Sequence, residues 1–261
     1  MPANELDTEL ALIREAAREA GLIAMRYFGK TPDVWMKTGQ SPVSEADIAV
    51  DTFLRDALLA ARPDYGWLSE ETVADTSRLS ARRTFVVDPI DGTRAFIGGQ
   101  HMWCVSVAIV EDGRPIAGVL DVPVKGEIFE AVQGSPALKN GSAVSVRKSG
   151  GRPIVAGPKT MTRTALPGIG ETVKVPYIPS LAYRIAMVAD GEIDATFIKP
   201  NSHDWDLAAA DLILRQAGGE VLTPDGISPL YAGDDPRHGT LVAGSGALLR
   251  AMVDEARHPD W

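Results

Sequence analysis

Apolar residues recur at three- and four-residue steps through residues 7–28, at Leu10, Ile13, Ala17, Ala20, Ala24, Tyr27 and Phe28, and predict one helix closed by Gly29. A second stripe of Ala46, Val50, Phe53, Leu54, Ala57, Leu58 and Ala61 predicts a helix opened by Ser44-Glu45-Ala46-Asp47 and ended by Pro63. Between them, residues 31–43 mix Pro, Gly and Ser without a period and read as a surface loop. The pattern then changes to strands. Trp67-Leu68-Ser69 is a short apolar approach to Glu70-Glu71, and Phe85-Val86-Val87 reads as a buried strand that Asp88-Pro89-Ile90-Asp91-Gly92-Thr93 turns sharply. Three β-rich runs at 103–110, 116–122 and 127–132, separated by Asp112-Gly113 and Val124-Lys125-Gly126, form an antiparallel meander, and Asn140-Gly141 marks another tight turn. Weaker strands are expected at 152–161 and 173–178, flanking a Gly/Pro-rich connection at 166–170. Residues 180–189 predict a helix with Leu181, Ile185 and Val188 inward and Gly191 as its stop, followed by a strand at 194–198. Trp205-Asp206 opens a strong helix that turns Leu207, Ala210, Leu214 and Ala217 inward before Gly218-Gly219. A strand at 240–243 and a helix at 247–256 complete the order.

A chain of 261 residues, 45% hydrophobic and 23% charged, buries a large core, and one continuous domain over 1–261 is expected, in two lobes that meet near 140–155. The formal net charge of -9 argues against a nucleic-acid polymer as partner, because that backbone is held by clustered Lys and Arg. An acidic protein that handles an anion needs cations to reverse the local sign. The single Cys104 forms no internal disulfide and reads as a small core residue, and four scattered histidines make no zinc pattern. Acidic residues interrupt the N-terminal apolar stripe, so no signal peptide or membrane span is expected; the chain reads as cytoplasmic, without a membrane partner.

The candidate chemistry sits at 88–93. The side chains of Asp88 and Asp91 and the carbonyl of Ile90 are placed to converge, and hard oxygen donors crowded together select Mg²⁺ over Zn²⁺. Gly92 and Thr93 offer N–H groups to a phosphate at a helix start. Each acid also has an ordinary explanation: an acidic turn for 88–91, helix-dipole partners for Asp47 and Asp206, a solvated loop for Glu70 and Glu71. Isolated Lys37 reads as a solvated lysine.

Together, the Glu-Glu pair, Asp-Pro-Ile-Asp-Gly-Thr and Trp-Asp, in this order and at these separations, resemble the inositol monophosphatase superfamily of Mg²⁺-dependent, lithium-sensitive phosphatases. The likeness runs from the first helix to about Thr240. It implies a layered α/β (α+β) fold, an αβαβα sandwich with one mixed and one mainly antiparallel sheet, and commonly a homodimer. It implies that Glu70, Asp88, the Ile90 carbonyl, Asp91 and Asp206 hold two or three Mg²⁺ ions, with Glu71 supporting the site from outside. Gly92 and Thr93 would hold the phosphate, Asp47 would orient Thr93 to take a proton from the attacking water, and Lys37 would lie in a loop near a metal.

The implied activity is hydrolysis of a small-molecule phosphate monoester. Inositol-specific members carry an acid about seven residues before the Trp-Asp aspartate, where this chain has Lys199, and a cation there favours a substrate with further negative charge or a different alcohol. The stretch 41–47 looks like the 3′(2′),5′-bisphosphate nucleotidase and histidinol-phosphate phosphatase branches, and Trp103 after a Gly-rich turn leans toward the latter. Ser180, Tyr183, Arg184 and His203 are expected pocket residues by position, with buried or surface roles open for Tyr183 and Arg184. Two rivals from other classes are a regulatory binding protein on the same fold, whose signature is a lost ligand, and a structural Ca²⁺ site, which leaves Gly92-Thr93 and Asp47 unexplained.

Overall fold

The computed structural model describes residues 3–30, 34–36, 42–72, 75–148, 150–162, 165–166, 168–173 and 175–257. The first apolar stripe becomes α1 (Ala3–Met25), which encloses Ile13, Ala17, Ala20 and Ala24. In place of an unbroken loop, the next described segments pair as a short antiparallel hairpin, β1 (Val34–Met36) and β2 (Pro42–Ser44), too short to show alternation in sequence. Ser44 then caps α2 (Glu45–Ala61), whose Val50, Leu54 and Leu58 are fully enclosed in the same core cluster as α1.

Seven strands follow in one sheet, ordered as in the chain: β3 (Gly66–Ser69), β4 (Arg83–Asp91), β5 (Cys104–Glu111), β6 (Arg114–Val122), β7 (Glu127–Val132), β8 (Leu138–Lys139) and β9 (Ser142–Ala143). β3 runs parallel to β4 and the later pairs are antiparallel, so the expected meander is β5–β6–β7. Asn140 and Gly141, at φ of 50° and 78°, turn β8 into β9. A five-residue helix, α3 (Thr93–Ile97), separates β4 from β5.

The remaining chain builds a second sheet and three helices. Its elements are β10 (Val155–Ala156), β11 (Ala165–Leu166), β12 (Gly170–Glu171), α4 (Leu181–Ala189), β13 (Ala195–Ile198), β14 (Ser202–His203), α5 (Asp204–Gln216), β15 (Glu220–Leu222), β16 (Arg237–His238), β17 (Leu241–Gly244) and α6 (Gly246–Ala256). The second sheet is ordered β10-β13-β17-β15. The strand expected at 152–161 shrinks to β10, and 173–178 contributes only a bridge from Val173 to Ile154 among its described residues. Pro153, Pro158 and Pro176 remove ladder donors from these stretches.

Alternation along the strands assigns the layers. Phe85, Val87, Val105, Val107 and Val119 face α1 and α2, whereas Val86, Ala108, Leu120 and Phe129 face α4 and α5. Ile198, Leu241 and Ala243 cover the far side of α4 and α5, and Phe197 and Val242 turn the other way onto Leu249 and Met252 of α6. The stack is the expected αβαβα sandwich. Because α4 lies between two sheets, its burial exceeds the predicted stripe: Ala182, Tyr183, Arg184 and Ala186 are buried, and Leu181 is only half-buried. Gly118 lets α5 settle on the sheet, since a Cβ there would stand 3.0 Å from the Ala209 Cα. No described helix is long and apolar enough to cross a membrane.

Candidate active site

The site grows from an irregularity in β4. Asp88 pairs with Ser106 and Asp91 with Cys104, so three steps along β4 match two along β5, one extra residue where Pro89 supplies no N–H. In a regular strand, residues three apart point to opposite faces. The bulge turns Asp91 to the same side as Asp88, toward α4 and α5, and leaves Ile90 in the core against α1 and α2. The strand therefore runs through the motif to Asp91, and the sharp turn falls at Gly92, whose φ of 95° suits only glycine. Phe96 of α3 and Trp103 beyond it close edge to face at 4.9 Å beneath this turn, with Phe28 5.6 Å from each.

Asp206 reaches the same point from the first turn of α5, its Oδ2 accepting the His203 N–H at 2.7 Å. One carboxylate oxygen from each of Asp88, Asp91 and Asp206 lies within 4.8 Å of the others. Asp91 is fixed from α4: its Oδ2 accepts the Ser180 hydroxyl and the Ala182 N–H, both at 2.6 Å. Asp88 accepts the N–H of Ile90 at 3.0 Å. Glu70 follows β3, and its N–H bonds the Val87 carbonyl at 3.3 Å, one residue before Asp88.

Crowded acids in a dry site hold their protons. Burial, then the charges of Glu70, Asp91 and Asp206, pushes Asp88 well above the ordinary carboxylate range. Burial and then Asp91 do the same to Asp206. Asp91 rises to about 6, burial outweighing its hydrogen bonds from Ser180 and the start of α4. A divalent cation relieves this mutual repulsion, and an all-oxygen donor set fits a hard one.

On the α2 side, Asp47 meets both the helix start and Thr93. Its Oδ2 accepts the Ser44 N–H at 2.8 Å and the Ser44 hydroxyl at 2.5 Å, capping the helix. Its Oδ1 lies 3.3 Å from the Thr93 hydroxyl, which also reaches the Ile90 carbonyl at 3.1 Å. Either acceptor takes the single Thr93 proton and leaves the oxygen lone pairs free to receive another.

The expected substrate side is divided. Ser180 is fully enclosed and Arg184 is buried, its guanidinium donating to the Ile178 carbonyl at 3.1 Å and the Phe197 carbonyl at 3.5 Å. Both lie beneath the carboxylates, because α4 is wedged between two sheets and turns these side chains inward; Ser180 does not line the pocket expected of it, and Arg184 takes the buried alternative. Tyr183 is enclosed as well, accepting from Lys125 at 2.6 Å and donating to Glu127 at 2.9 Å. Trp103 is fully buried and offers a substrate no surface. His203 stays half-buried, stacked on Trp205 at 4.5 Å and 5° beside Asp206, and Lys199 is exposed. Lys37 lies outside the described residues.

Sequence reading passed over Asp51 and Asp204. Asp204 is the buried first residue of α5, where its carboxylate takes the Ala232 N–H and His238 Nε2, each at 2.7 Å. Asp51 follows Asp47 by one helical turn, a spacing that marks a shared face.

A layered α+β chain that gathers aspartates from a bulged strand and a helix start has the form of a metal-dependent phosphatase. The sequence profile of the inositol monophosphatase family matches residues 5–258, and the chain belongs to that family. It is 31% identical to the inositol-1-monophosphatase of Mesorhizobium japonicum over 96% of this chain and 96% of that one. It is 32% identical to the histidinol-phosphatase of Mycobacterium tuberculosis over 95% and 96%. The solved structure of the extragenic suppressor protein SuhB from Bartonella henselae superposes with a TM-score of 0.81 at 27% identity, covering 97% of this chain and 99% of that one.

Proposed function

We propose that this chain is a Mg²⁺-dependent phosphomonoesterase acting on small phosphate esters, with Glu70, Asp88, the Ile90 carbonyl, Asp91 and Asp206 holding the ions. The observation that carries this reading is the convergence of the Asp88, Asp91 and Asp206 oxygens within 4.8 Å. Mg²⁺, when bound, supplies positive charge to the phosphoryl and departing oxygens. Thr93 would hold the attacking water and take its proton while passing its own hydroxyl proton to the Asp47 carboxylate. The N–H groups of Gly92 and Thr93 open α3 toward the phosphate. Because no acidic ligand expected from the family is missing, the site favours catalysis over a purely regulatory role. Phosphate release from inositol 1-phosphate, adenosine 3′,5′-bisphosphate and histidinol phosphate is expected to require Mg²⁺ and to be inhibited by Ca²⁺; no Mg²⁺-dependent release from any of them rejects the reading.

Lys199, exposed where inositol-specific members carry an acid, supports a substrate with a second anionic group. The bisphosphate is therefore expected to exceed inositol 1-phosphate in kcat/KM by at least about tenfold, equivalent to roughly 1.4 kcal/mol of discrimination, with Lys199→Glu narrowing the gap. Equal kcat/KM for the two substrates removes Lys199 from substrate selection.

Metal should also govern stability. The raised carboxyls favour folding in their neutral forms, so the stability they confer is full below about pH 4 and is lost as pH rises through their folded values, about 6 for Asp91. Mg²⁺ is expected to raise the melting temperature more at pH 7.5 than at pH 5. At a hundred times Kd the gain is about 2.7 kcal/mol, or roughly 5–10 °C for a chain of this size. Scanning fluorimetry with Mg²⁺ or EDTA checks this, and an equal shift at both pH values contradicts it.

A further inference from the structure

We propose that Asp51 is the positioning residue that holds the Glu70 segment at the metal site, and that α2 thereby organises both halves of that site. The inference rests on the reading of Glu70 as a metal ligand. Asp47 and Asp51 stand one turn apart on α2 and are both buried, Asp51 at 7% exposure. Asp47 meets Thr93 and Asp51 meets the other half. The Ser69 hydroxyl donates to Asp51 Oδ1, and the Thr72 hydroxyl donates to Oδ2 at 2.8 Å.

Those two hydroxyls bracket Glu70 and Glu71, and each passes the tether on. Ser69 Oγ also accepts the Glu71 N–H at 3.3 Å, and Thr72 Oγ1 accepts the Trp67 indole N–H at 3.3 Å. From the opposite side, the Glu70 N–H is held by Val87 of β4. The backbone carrying Glu70 is thus fixed between the strand that ends in Asp88 and Asp91 and the helix that carries Asp47. A glutamate has more rotatable bonds than an aspartate, and ligand rotamers left unfixed weaken a metal site. Both oxygens of Asp51 are engaged by hydroxyls, so its charge is directed at the segment and not at the ions.

The test is calorimetric titration of Mg²⁺ into the full chain, which reads metal affinity without turnover. Asp51→Asn is expected to weaken Mg²⁺ binding at least tenfold, and Thr72→Val, which removes one of the two tethers, about threefold. Asp56→Asn, an exposed acid on the same helix, is expected to stay within twofold and controls for charge alone. In activity titrations, Asp51→Asn should raise the Mg²⁺ concentration for half-activation while kcat at saturating Mg²⁺ stays within about threefold. A merely structural residue would lower the melting temperature in EDTA and leave Mg²⁺ affinity unchanged, and that outcome overturns the proposal. So does a loss matched by Asp56→Asn. Should Asp51→Asn fail to fold, Thr72→Val decides: affinity within twofold of wild type overturns the role. A wild-type chain that binds no Mg²⁺ rejects the phosphatase reading itself, whereas wild-type binding with unchanged variants rejects Asp51 alone.

Discussion

Asp91→Asn is expected to lower Mg²⁺-dependent turnover by at least about a thousandfold while raising the melting temperature of the EDTA-treated protein. Its Oδ2 is the acceptor for the Ser180 hydroxyl and the Ala182 N–H. An asparagine carbonyl oxygen keeps both bonds, so the bulge of β4 and the start of α4 are retained. What disappears is the charge of one of three gathered carboxylates. A thousandfold loss corresponds to about 4 kcal/mol of transition-state stabilisation, a moderate demand on a group proposed to hold a cation against the phosphate. Stability moves the other way. Burial raises the Asp91 carboxyl to about 6, so at pH 8 its ionised form opposes folding, and its charge also disfavours ionisation of Asp88 and Asp206. The amide removes these penalties. Steady-state kinetics and scanning fluorimetry at pH 8 read the two effects separately. Near-normal kcat refutes the ligand role, and a lower melting temperature in EDTA refutes the electrostatic account.

Contiguity along the chain decides which parts of the site were visible in sequence. Asp88, Ile90, Asp91, Gly92 and Thr93 lie in one stretch, so their chemistry could be argued from donor type alone. Their geometry could not. Asp-Pro followed by Asp-Gly announces a turn, but β4 keeps pairing with β5 through Asp91 and absorbs its extra residue as a bulge. Glu70 became a candidate only through the family resemblance, because an acid at a strand end has an ordinary explanation, while Asp206, in a helix's first turn, already stood between a cap and a ligand. Asp51 and Asp204 were hidden for the same reason, each standing beside a more conspicuous acid.

The fold divides along a similar line. α1 and α2 bury a stripe that periodicity reports, and the meander declares itself through its turns, whereas α5 is buried continuously from Leu207 to Leu214, beyond the stripe its sequence shows. α4 is enclosed nearly all round, so position along the helix did not separate a pocket wall from the support beneath it. Ser180 was placed in the pocket on that account, and the role of Arg184 stayed open between pocket and core. The paired strands β10 to β12, with β14 and β16, are two residues long, below the length at which alternation exists.

The second large effect concerns Asp47 and Thr93. Thr93→Val keeps the shape of the side chain and removes the hydroxyl, and kcat is expected to fall by about 10²- to 10⁴-fold, the range for a group that receives a proton in the transition state. Mg²⁺ affinity should change little, because neither the hydroxyl nor Asp47 belongs to the aspartate cluster. Asp47→Asn places an amide 3.3 Å from Thr93 Oγ1, where the carboxylate had favoured donation toward itself, and a comparable loss follows. It also weakens the cap on α2, since Ser44 donates to the same carboxylate through its N–H and its hydroxyl. Removing an N-cap interaction costs about 1 kcal/mol, so the Asp47 variant should melt lower and the Thr93 variant nearly as wild type. The two losses should not add. If Asp47 acts through Thr93, the double variant is about as slow as either single one, and a double-mutant cycle on kcat gives a coupling nearly as large as the single effects. Additive losses would mean that Asp47 influences the phosphate independently, and the relay from Asp47 through Thr93 to the attacking water would be wrong.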